Sequence, residues 1–587
     1  MSKTVDAGEI AGGGGNPNPA MLDRRTFAKV ASGLLLSAAA APGILLGAQS
    51  APTKYQVGMK SRPLARQLSV YRLEDLPYNV KDLRLTLHCL QGLVNRVQPR
   101  LYLIQDRYDE LWLKWLQERG DIDEFRYLDI GELFDQCLGV ASCMFVTDPA
   151  IPASVNVATM LAAVHGGLVV TPEVMGLFRL PKGSYPDSFK TGADLRVMHW
   201  KKDVEAYRWV FDQLGDQLSK RAVAILDPDT AAIRDYFVEF QVPIVWISNP
   251  NDQSAPHSSF AEERDFAREI FMRWPPNIPC MGWPLDKLGV GEWEGVRLAS
   301  QCAKFEVCSG NDGYSPTVSN LSVHSGTTAT LRQRPMPPLP PLQKDKVYFA
   351  FTRSDGDGLN FQRHYYRKLF DEPSHGKVPV GWQIGPSAAD FNPDILDYYY
   401  RHAQPGDCFI NALTGVGYIH EDCYADNYPP AQREQIWKEF LAMSADYRAR
   451  IDATILTTFS EMDPARLARF AGIEGIEAVF ANYGTTSITT LENEVTRSAG
   501  KPVFRAIASG TTDLTFTALG RRRSEGAMLD EVRRFTPDTR PAFMHVFLAN
   551  WLSNMEMADN IARQLGPDYI AVRPDQLAAL YRLAQGV

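Results

Sequence analysis

Short apolar runs alternate along this chain with stretches in which apolar residues return every three or four positions, the pattern of strands alternating with amphipathic helices. In the first half the runs predict strands at 101–104, 143–147, 167–170, 222–226, 244–247 and 278–282, with helices at 80–94, 158–164 and 262–272. Over residues 60–334 this predicts an N-terminal α/β layered region, divided into two subdomains near 175–200. Pro335-Met336-Pro337-Pro338-Leu339-Pro340-Pro341 then breaks the pattern. Consecutive prolines favour an extended backbone and continue neither a helix nor a central strand, so 335–345 reads as a linker. From 346 to 587 eight further strands are predicted, at 347–351, 380–384, 408–412, 454–458, 478–481, 503–508, 543–548 and 569–572. Helical patterns at 393–402, 430–443, 464–470 and 528–534 separate them. Strands joined by helices predict parallel pairing through right-handed crossovers, and hence a C-terminal β/α barrel, TIM-like, with seven or eight strands.

Composition narrows the class. The chain has 587 residues, 45% of them apolar and 22% charged, with a net charge of −8. It is long enough for several cores, and its acidity argues against a nucleic-acid partner, because phosphate contacts need clustered Lys and Arg. Arg521-Arg522-Arg523 is the one dense basic run and reads as a solvated loop.

At the N-terminus Asp23-Arg24-Arg25-Thr26-Phe27 precedes an apolar run from Val30 to Ala48, with small residues before Ala51. This resembles a twin-arginine signal over 1–50, which predicts the twin-arginine translocase as a partner and a periplasmic or secreted mature protein. Retention of the run as a membrane anchor is the alternative, since about 19 residues suffice to span a bilayer. No later segment has 18 uninterrupted apolar residues, so the rest of the chain is expected to hold no membrane span. The eight cysteines lack C-x-x-C spacing, which argues against a zinc or thioredoxin-like site. Cys137/Cys143, Cys302/Cys308 and Cys408/Cys423 are near enough in sequence to pair after export, and each is equally readable as a buried apolar residue.

The densest chemistry lies where two apolar strands end. Val347–Phe351 runs into Thr352-Arg353-Ser354-Asp355-Gly356-Asp357-Gly358, and Cys408–Leu413 runs into Thr414-Gly415-Val416-Gly417-Tyr418. These turns resemble the GxGYxYP family of putative glycoside hydrolases. Gly415-Val416-Gly417-Tyr418 matches the start of the motif that names the family, and Ser354-Asp355-Gly356-Asp357 matches its Ser-Asp-Gly-Asp-Asn element. Leu90–Arg96 with Pro99–Leu103, Gly282-Trp283-Pro284, Asn320–Gly326 and Val380-Gly381-Trp382 extend the likeness over nearly the whole chain after residue 60. His420 and Glu421 stand where the motif has Tyr and Pro, and Gly358 stands for Asn. The resemblance implies a hydrolase acting on carbohydrate.

In a β/α barrel the site lies at the C-terminal ends of the strands. Residues just past the predicted strands are Asp355, Asp357, Ser387, Asp390, Tyr418, Glu421, Glu461, Asn482, Tyr483, Ser509, Asn550, Trp551, Arg573 and Asp575. Carboxylates, rings to stack on pyranoses, and amides or Arg to hold hydroxyls make up a carbohydrate palette. Asp355, Asp357 and Glu461 are the expected catalytic carboxylates. Tyr418, Gly415, Gly417, Trp551, Asn550, Asn482, Tyr483 and Arg573 are the expected substrate contacts, the two glycines by leaving room for a ligand. Two aspartates one residue apart repel, so either one keeps its proton as a general acid or a cation sits between them. The first reading needs no cofactor. The second is a metal-dependent carbohydrate esterase with a divalent ion on Asp355, Asp357 and His545. A silent glycan binder is the third reading, and an Asx turn at Asp355 is the purely structural one. Trp283, Glu292, Asn311, Asp312 and His324 are expected to close over the barrel mouth.

Overall fold

The computed structural model describes residues 55–76, 82–177, 190–252, 255–285, 289–313, 315–458, 464–481, 495–507, 518–550 and 553–586. The signal-like segment, Glu461, Asn482, Tyr483, Ser509 and Trp551 lie outside the described residues. Among the described residues no helix is long and apolar enough to cross a membrane.

The N-terminal region holds three parallel sheets among the described residues. The first has the order β2-β1-β3, from β1 (Gln67–Arg72), β2 (Leu101–Ile104) and β3 (Glu124–Tyr127). The second has the order β5-β4-β6, from β4 (Cys143–Val146), β5 (Leu168–Val170) and β6 (Lys190–Asp194). The third has the order β10-β9-β7-β8, from β7 (Val223–Ile225), β8 (Ile244–Val245), β9 (Ile278–Gly282) and β10 (Lys304–Cys308). β10 is the edge strand of this third sheet, which brings it beside the barrel.

The C-terminal region is a closed parallel barrel of seven strands: β11 (Val347–Arg353), β12 (Val380–Ile384), β13 (Asp407–Asn411), β14 (Ile455–Thr458), β15 (Ala478–Ala481), β17 (Lys501–Ile507) and β18 (Ala542–Leu548). β16 (Thr496–Ser498) is a short antiparallel addition to β17. The ring closes where Phe351–Arg353 of β11 pairs with Val380–Trp382 of β12. The eighth expected strand, β19 (Tyr569–Ala571), pairs with Val347–Phe349 at the opposite half of β11. It therefore fills the N-terminal half of the seam and does not complete the ring.

Alternate residues point into the barrel, as the period of two requires. Tyr348, Ala350, Cys408, Ile410, Ile455, Ala478, Phe480, Phe504 and Phe543 form one buried cluster, and the last helix, Pro574–Ala584, adds Leu577, Ala578 and Leu580 to it. That helix closes the N-terminal end. Gly381 on β12 makes room for it, since a β-carbon there would lie 2.6 Å from the ring of Pro574. The Pro-rich segment is clamped to the same end: Tyr348 donates to the Pro341 carbonyl at 2.8 Å, and the Gln576 amide donates to Pro337 and Pro338 at 3.2 and 3.1 Å. All eight cysteines are free thiols, seven of them buried. Arg521–Arg523 lie within the helix Ala518–Arg534, where a loop was expected.

The barrel and the first sheet's helix Arg107–Arg119 are joined by buried charge. Arg363, fully buried, meets Asp109 at 2.8 Å and Asp106 at 3.0 Å, and its carbonyl accepts from the Trp112 indole at 2.7 Å. Asp109 also accepts from Ser319 at 2.6 Å. Removing one member of a buried pair strands the other charge, at a cost of about 3–5 kcal/mol. Arg363→Met is accordingly expected to lower the unfolding free energy by ~3–5 kcal/mol in urea denaturation; a loss below ~1 kcal/mol would show that Asp109 finds compensation elsewhere.

Candidate functional site

Two elements meet over the C-terminal end of the barrel. The first is the turn after β11. Asp355 has φ 62°, a left-handed conformation that a side-chain-bearing residue adopts at a cost. The neighbours hold it there. The Ser354 hydroxyl donates to the Asp355 carboxylate, and the Asn550 N–H at the end of β18 donates to that hydroxyl at 3.0 Å. The Asn550 amide donates to the Ser354 carbonyl and accepts from Arg353 at 3.2 Å. Gly356 presses on β12 so closely that a β-carbon would sit 1.6 Å from the Gln383 carbonyl oxygen. The Gly385 N–H completes the contact by donating to Gly356 O at 2.7 Å.

The second element is the edge of the third N-terminal sheet. Gly291, with φ 91°, turns the chain into the helix Glu292–Gln301, which places Glu292 in its first turn. Across the gap, Glu306 of β10 and Tyr418 exchange two backbone hydrogen bonds, Glu306 N to Tyr418 O at 2.7 Å and Tyr418 N to Glu306 O at 3.0 Å. The Tyr418 hydroxyl then lies 3.4 Å from the Glu292 carboxylate and 3.3 Å from His420 Nε2. Asn360, next to the Asp355 turn, donates to Gly310 O at 2.9 Å and to the Asp312 carboxylate at 2.8 Å. Glu292, Glu306 and Asp312 are thereby brought into the electrostatic neighbourhood of Asp355 and Asp357.

This crowding sets proton affinities. Burial first, and then the neighbouring Asp357, Asp312 and Glu292 charges, push the Asp355 carboxyl well above its usual range, against the Ser354 hydrogen bond. Asp357 is pushed up to about 6 by burial and by Asp312, while its own N–H opposes the rise. Both residues are partly exposed. Glu306, 2% exposed, is raised well above the carboxylate range by burial, with Glu292 and Asp357 adding to it. Neither of its oxygens has hydrogen-bond geometry to a partner, and the Cys280 thiol lies beside it. The site therefore crowds carboxyls of raised proton affinity side by side, an arrangement suited to acid–base work.

The expected residues divide sharply. Asp355, Asp357 and Tyr418 come together, and Glu292 and Asp312 join them as anticipated. Gly415 and Gly417 do not make room for a ligand. A β-carbon on Gly415 would meet Ser444 Oγ at 2.4 Å, and one on Gly417 would meet the Phe305 ring at 2.5 Å, so both glycines serve close packing. Asn550 is fully buried and spends its amide on the Asp355 turn, which makes it a positioning residue. Arg573 lies at the opposite end of the barrel, paired with Asp575 at 2.7 Å and directed at the carbonyls of Arg334, Pro335 and Pro405. β19 ends level with the middle of β11, so the residue past it is at the floor and not the mouth. His324 is fully buried against Asp394 at 2.8 Å, away from the site, and Trp283 packs on Leu413 and Tyr418. Asp390 is buried against Arg450, Tyr447 and the Gly58 N–H.

His545 points into the barrel, where Nε2 lies 2.6 Å from the Thr352 hydroxyl, and burial lowers its pKa to about 3. Among the described residues no group of three or more His, Cys, Asp or Glu side chains is arranged to hold a metal ion. Asp355, Asp357 and His545 thus do not fit as a ligand set. Glu306 escaped sequence reading because a lone Glu in KFEVC carries no motif; the Lys-x-Glu alternation on an otherwise apolar edge was the available signal.

Fold and site together define a two-part α/β protein whose barrel mouth is roofed by an acidic edge from its N-terminal region. Four family models match it: the GxGYxYP_N 1st domain at 68–136, the GxGYxYP_N second domain at 141–218, the GxGYxYP third domain at 220–326, and the GxGYxYP putative glycoside hydrolase C-terminal domain at 345–582. The chain belongs to the GxGYxYP family. A crystal structure of a putative hydrolase from Bacteroides thetaiotaomicron is similar, with a TM-score of 0.74 at 20% identity, covering 91% of this chain and 98% of its own. That likeness supports the fold. No curated protein matches the chain.

The raised carboxyls have a consequence for stability. An unfolded aspartate loses its proton near pH ~4, whereas Asp357 in the fold keeps it to about 6. Between these values the native state binds more protons, so its stability falls as pH rises. Asp357→Asn is expected to raise the unfolding free energy at pH ~8 by on the order of 1 kcal/mol, once solvent screening of a partly exposed group is allowed for, and to lose that advantage near pH ~4 in urea denaturation. A variant less stable than the parent at pH ~8 would contradict this electrostatic account.

Proposed function

We propose that this protein is a glycoside hydrolase that cleaves a poly- or oligosaccharide in the cleft between the Asp355 turn and the Glu292–Cys308 edge. The observation that carries the reading is the carboxyl pair at one strained turn, with Asp355 holding its proton well above the usual range and Asp357 ionising at about 6. Asp355 donates its proton to the glycosidic oxygen as the bond to the anomeric carbon breaks, and water adds to that carbon while a second carboxylate takes the water's proton. Asp357 supplies the negative charge that faces the oxocarbenium-like centre. Glu461, outside the described residues, is the third carboxylate of this reading. Family membership supports carbohydrate as the substrate class. Export by the twin-arginine translocase to the periplasm or beyond belongs to the same proposal, on the strength of Arg24-Arg25 and the apolar run after them.

The test is oligosaccharide release from pooled plant and bacterial polysaccharides, with and without chelator. Chelator-resistant release is expected, rising as Asp357 ionises through pH about 6 and falling when Asp355 loses its proton. Asp355→Asn and Asp357→Asn are each expected to cut turnover at least ~100-fold, the range that general acid–base and charge stabilisation supply. Unchanged turnover in both variants would remove the assignment. Chelator-sensitive acetate release would replace it with the esterase, and sugar binding without turnover would replace it with a glycan-binding protein.

A further inference from the structure

Trp293 is one of few large apolar side chains that the described residues leave in water, 54% exposed. Such a residue is informative when it stands beside a site. It follows Glu292 directly at the start of the helix Glu292–Gln301, so the two side chains leave adjacent positions of one helical turn. Glu292 reaches the Tyr418 hydroxyl, beside the Asp355 turn. The indole of Trp293 meets the His420 ring edge-on, with centroids 4.2 Å apart and planes at 81°. His420 is anchored from below, its N–H donating to Ser300 Oγ at 2.9 Å and its Nε2 lying beside the Tyr418 hydroxyl. The indole is thus braced by a fixed neighbour while over half of its surface faces solvent.

A braced and exposed indole suits one kind of ligand. The two faces of a pyranose carry axial C–H groups, which pack flat on an aromatic ring, while its hydroxyls stay in water or reach polar groups at the rim. The indole offers such an apolar face. Burial pulls the His420 pKa down to about 4, so its ring carries no charge at neutral pH.

Resting on the carbohydrate reading above, we propose that Trp293, braced by His420, is an outer stacking subsite for one pyranose unit of an extended glycan whose neighbouring units lie in the Asp355–Asp357 cleft. The substrate is then a chain of several sugars and not a mono- or disaccharide. His420 takes part in this subsite at the position where the family motif carries Tyr.

The test measures binding apart from turnover. Affinity electrophoresis is run in gels containing mixed-linkage β-glucan, arabinoxylan, galactomannan, pullulan or rhamnogalacturonan, with the parent protein, Asp355→Asn, Trp293→Ala and Trp293→Tyr. At least one polysaccharide is expected to retard the parent and Asp355→Asn alike. Trp293→Ala should bind that polymer at least ~10-fold more weakly, and Trp293→Tyr should recover most of the loss. A melting temperature for Trp293→Ala within ~2 °C of the parent would separate lost stacking from lost folding, as a half-exposed side chain leads one to expect. Retardation of Trp293→Ala equal to the parent's overturns the subsite, and so does the absence of retardation of the parent in every gel. Trp293-dependent binding by a parent that releases no sugar supports the subsite and instead removes the hydrolytic step.

Discussion

The pair of backbone hydrogen bonds between Glu306 and Tyr418 governs the rest of the site. It adds a residue of the barrel loop to the edge of the third N-terminal sheet, and it forms only because Gly417 lets the two backbones approach. The motif that names the family is thus a seam before it is anything else. With the seam closed, Tyr418 is presented to Glu292, Phe305 is packed on the loop, and the N-terminal carboxyls face the Asp355 turn. Without it, the barrel would keep two aspartates and lose the neighbours that tune them. The tuning of these carboxyls is a property of domain docking as much as of the barrel.

Docking that buries like charges has to be stabilised somewhere else, and the offsetting interactions lie on the far side of the same interface. Arg363 with Asp109, His324 with Asp394, and Arg119 with Asp397 at 2.8 Å are opposite-charge or charge-assisted contacts between the N-terminal region and the barrel. The Trp115 indole adds a donor to Asp394 O at 2.8 Å, and the Gly58 N–H one to Asp390 at 3.0 Å. The Arg363–Asp109, His324–Asp394 and Gly58–Asp390 contacts are hydrogen bonds and Arg119–Asp397 is an ion pair, whereas neither carboxylate oxygen of Glu306 has a hydrogen-bond partner among the described residues. Stability is concentrated at one end of the interface and given up at the other, a distribution expected where strain serves function.

Much of this was legible in the sequence, for a definite reason. Strands of a parallel sheet are covered on both faces and read as unbroken apolar runs, so VGWQI at β12 and AVFA at β15 were placed to the residue. β1 (QLSVYR) and β3 (EFRY) are partly exposed and mix polar residues into the run, and β10 (KFEVC) buries Lys304 and Glu306 outright, so hydropathy alone missed all three. The carboxyl pair was visible because Asp-Gly-Asp follows a strand. Arg573 was misplaced because the rule that chemistry follows strand ends presumes strands of equal reach, and β19 is short and set low. Gly415 and Gly417 were misassigned because a glycine announces that something comes close without saying whether it is ligand or protein.

The turn at Asp355 gathers three separate costs: a left-handed backbone, removal of a carboxyl from water, and repulsion from its neighbours. A turn serving only to connect β11 to the next helix would avoid all three with Gly or Asn. Instead both strands flanking β11 are recruited to enforce it, β18 through Asn550 on Ser354 and β12 through the Gln383 carbonyl and Gly385 against Gly356 and Asp357. The enforcement acts mainly on backbone and hydroxyl and leaves both residues partly exposed. A held carboxyl of raised proton affinity on a partly exposed residue is what the proposed general-acid role of Asp355 would use.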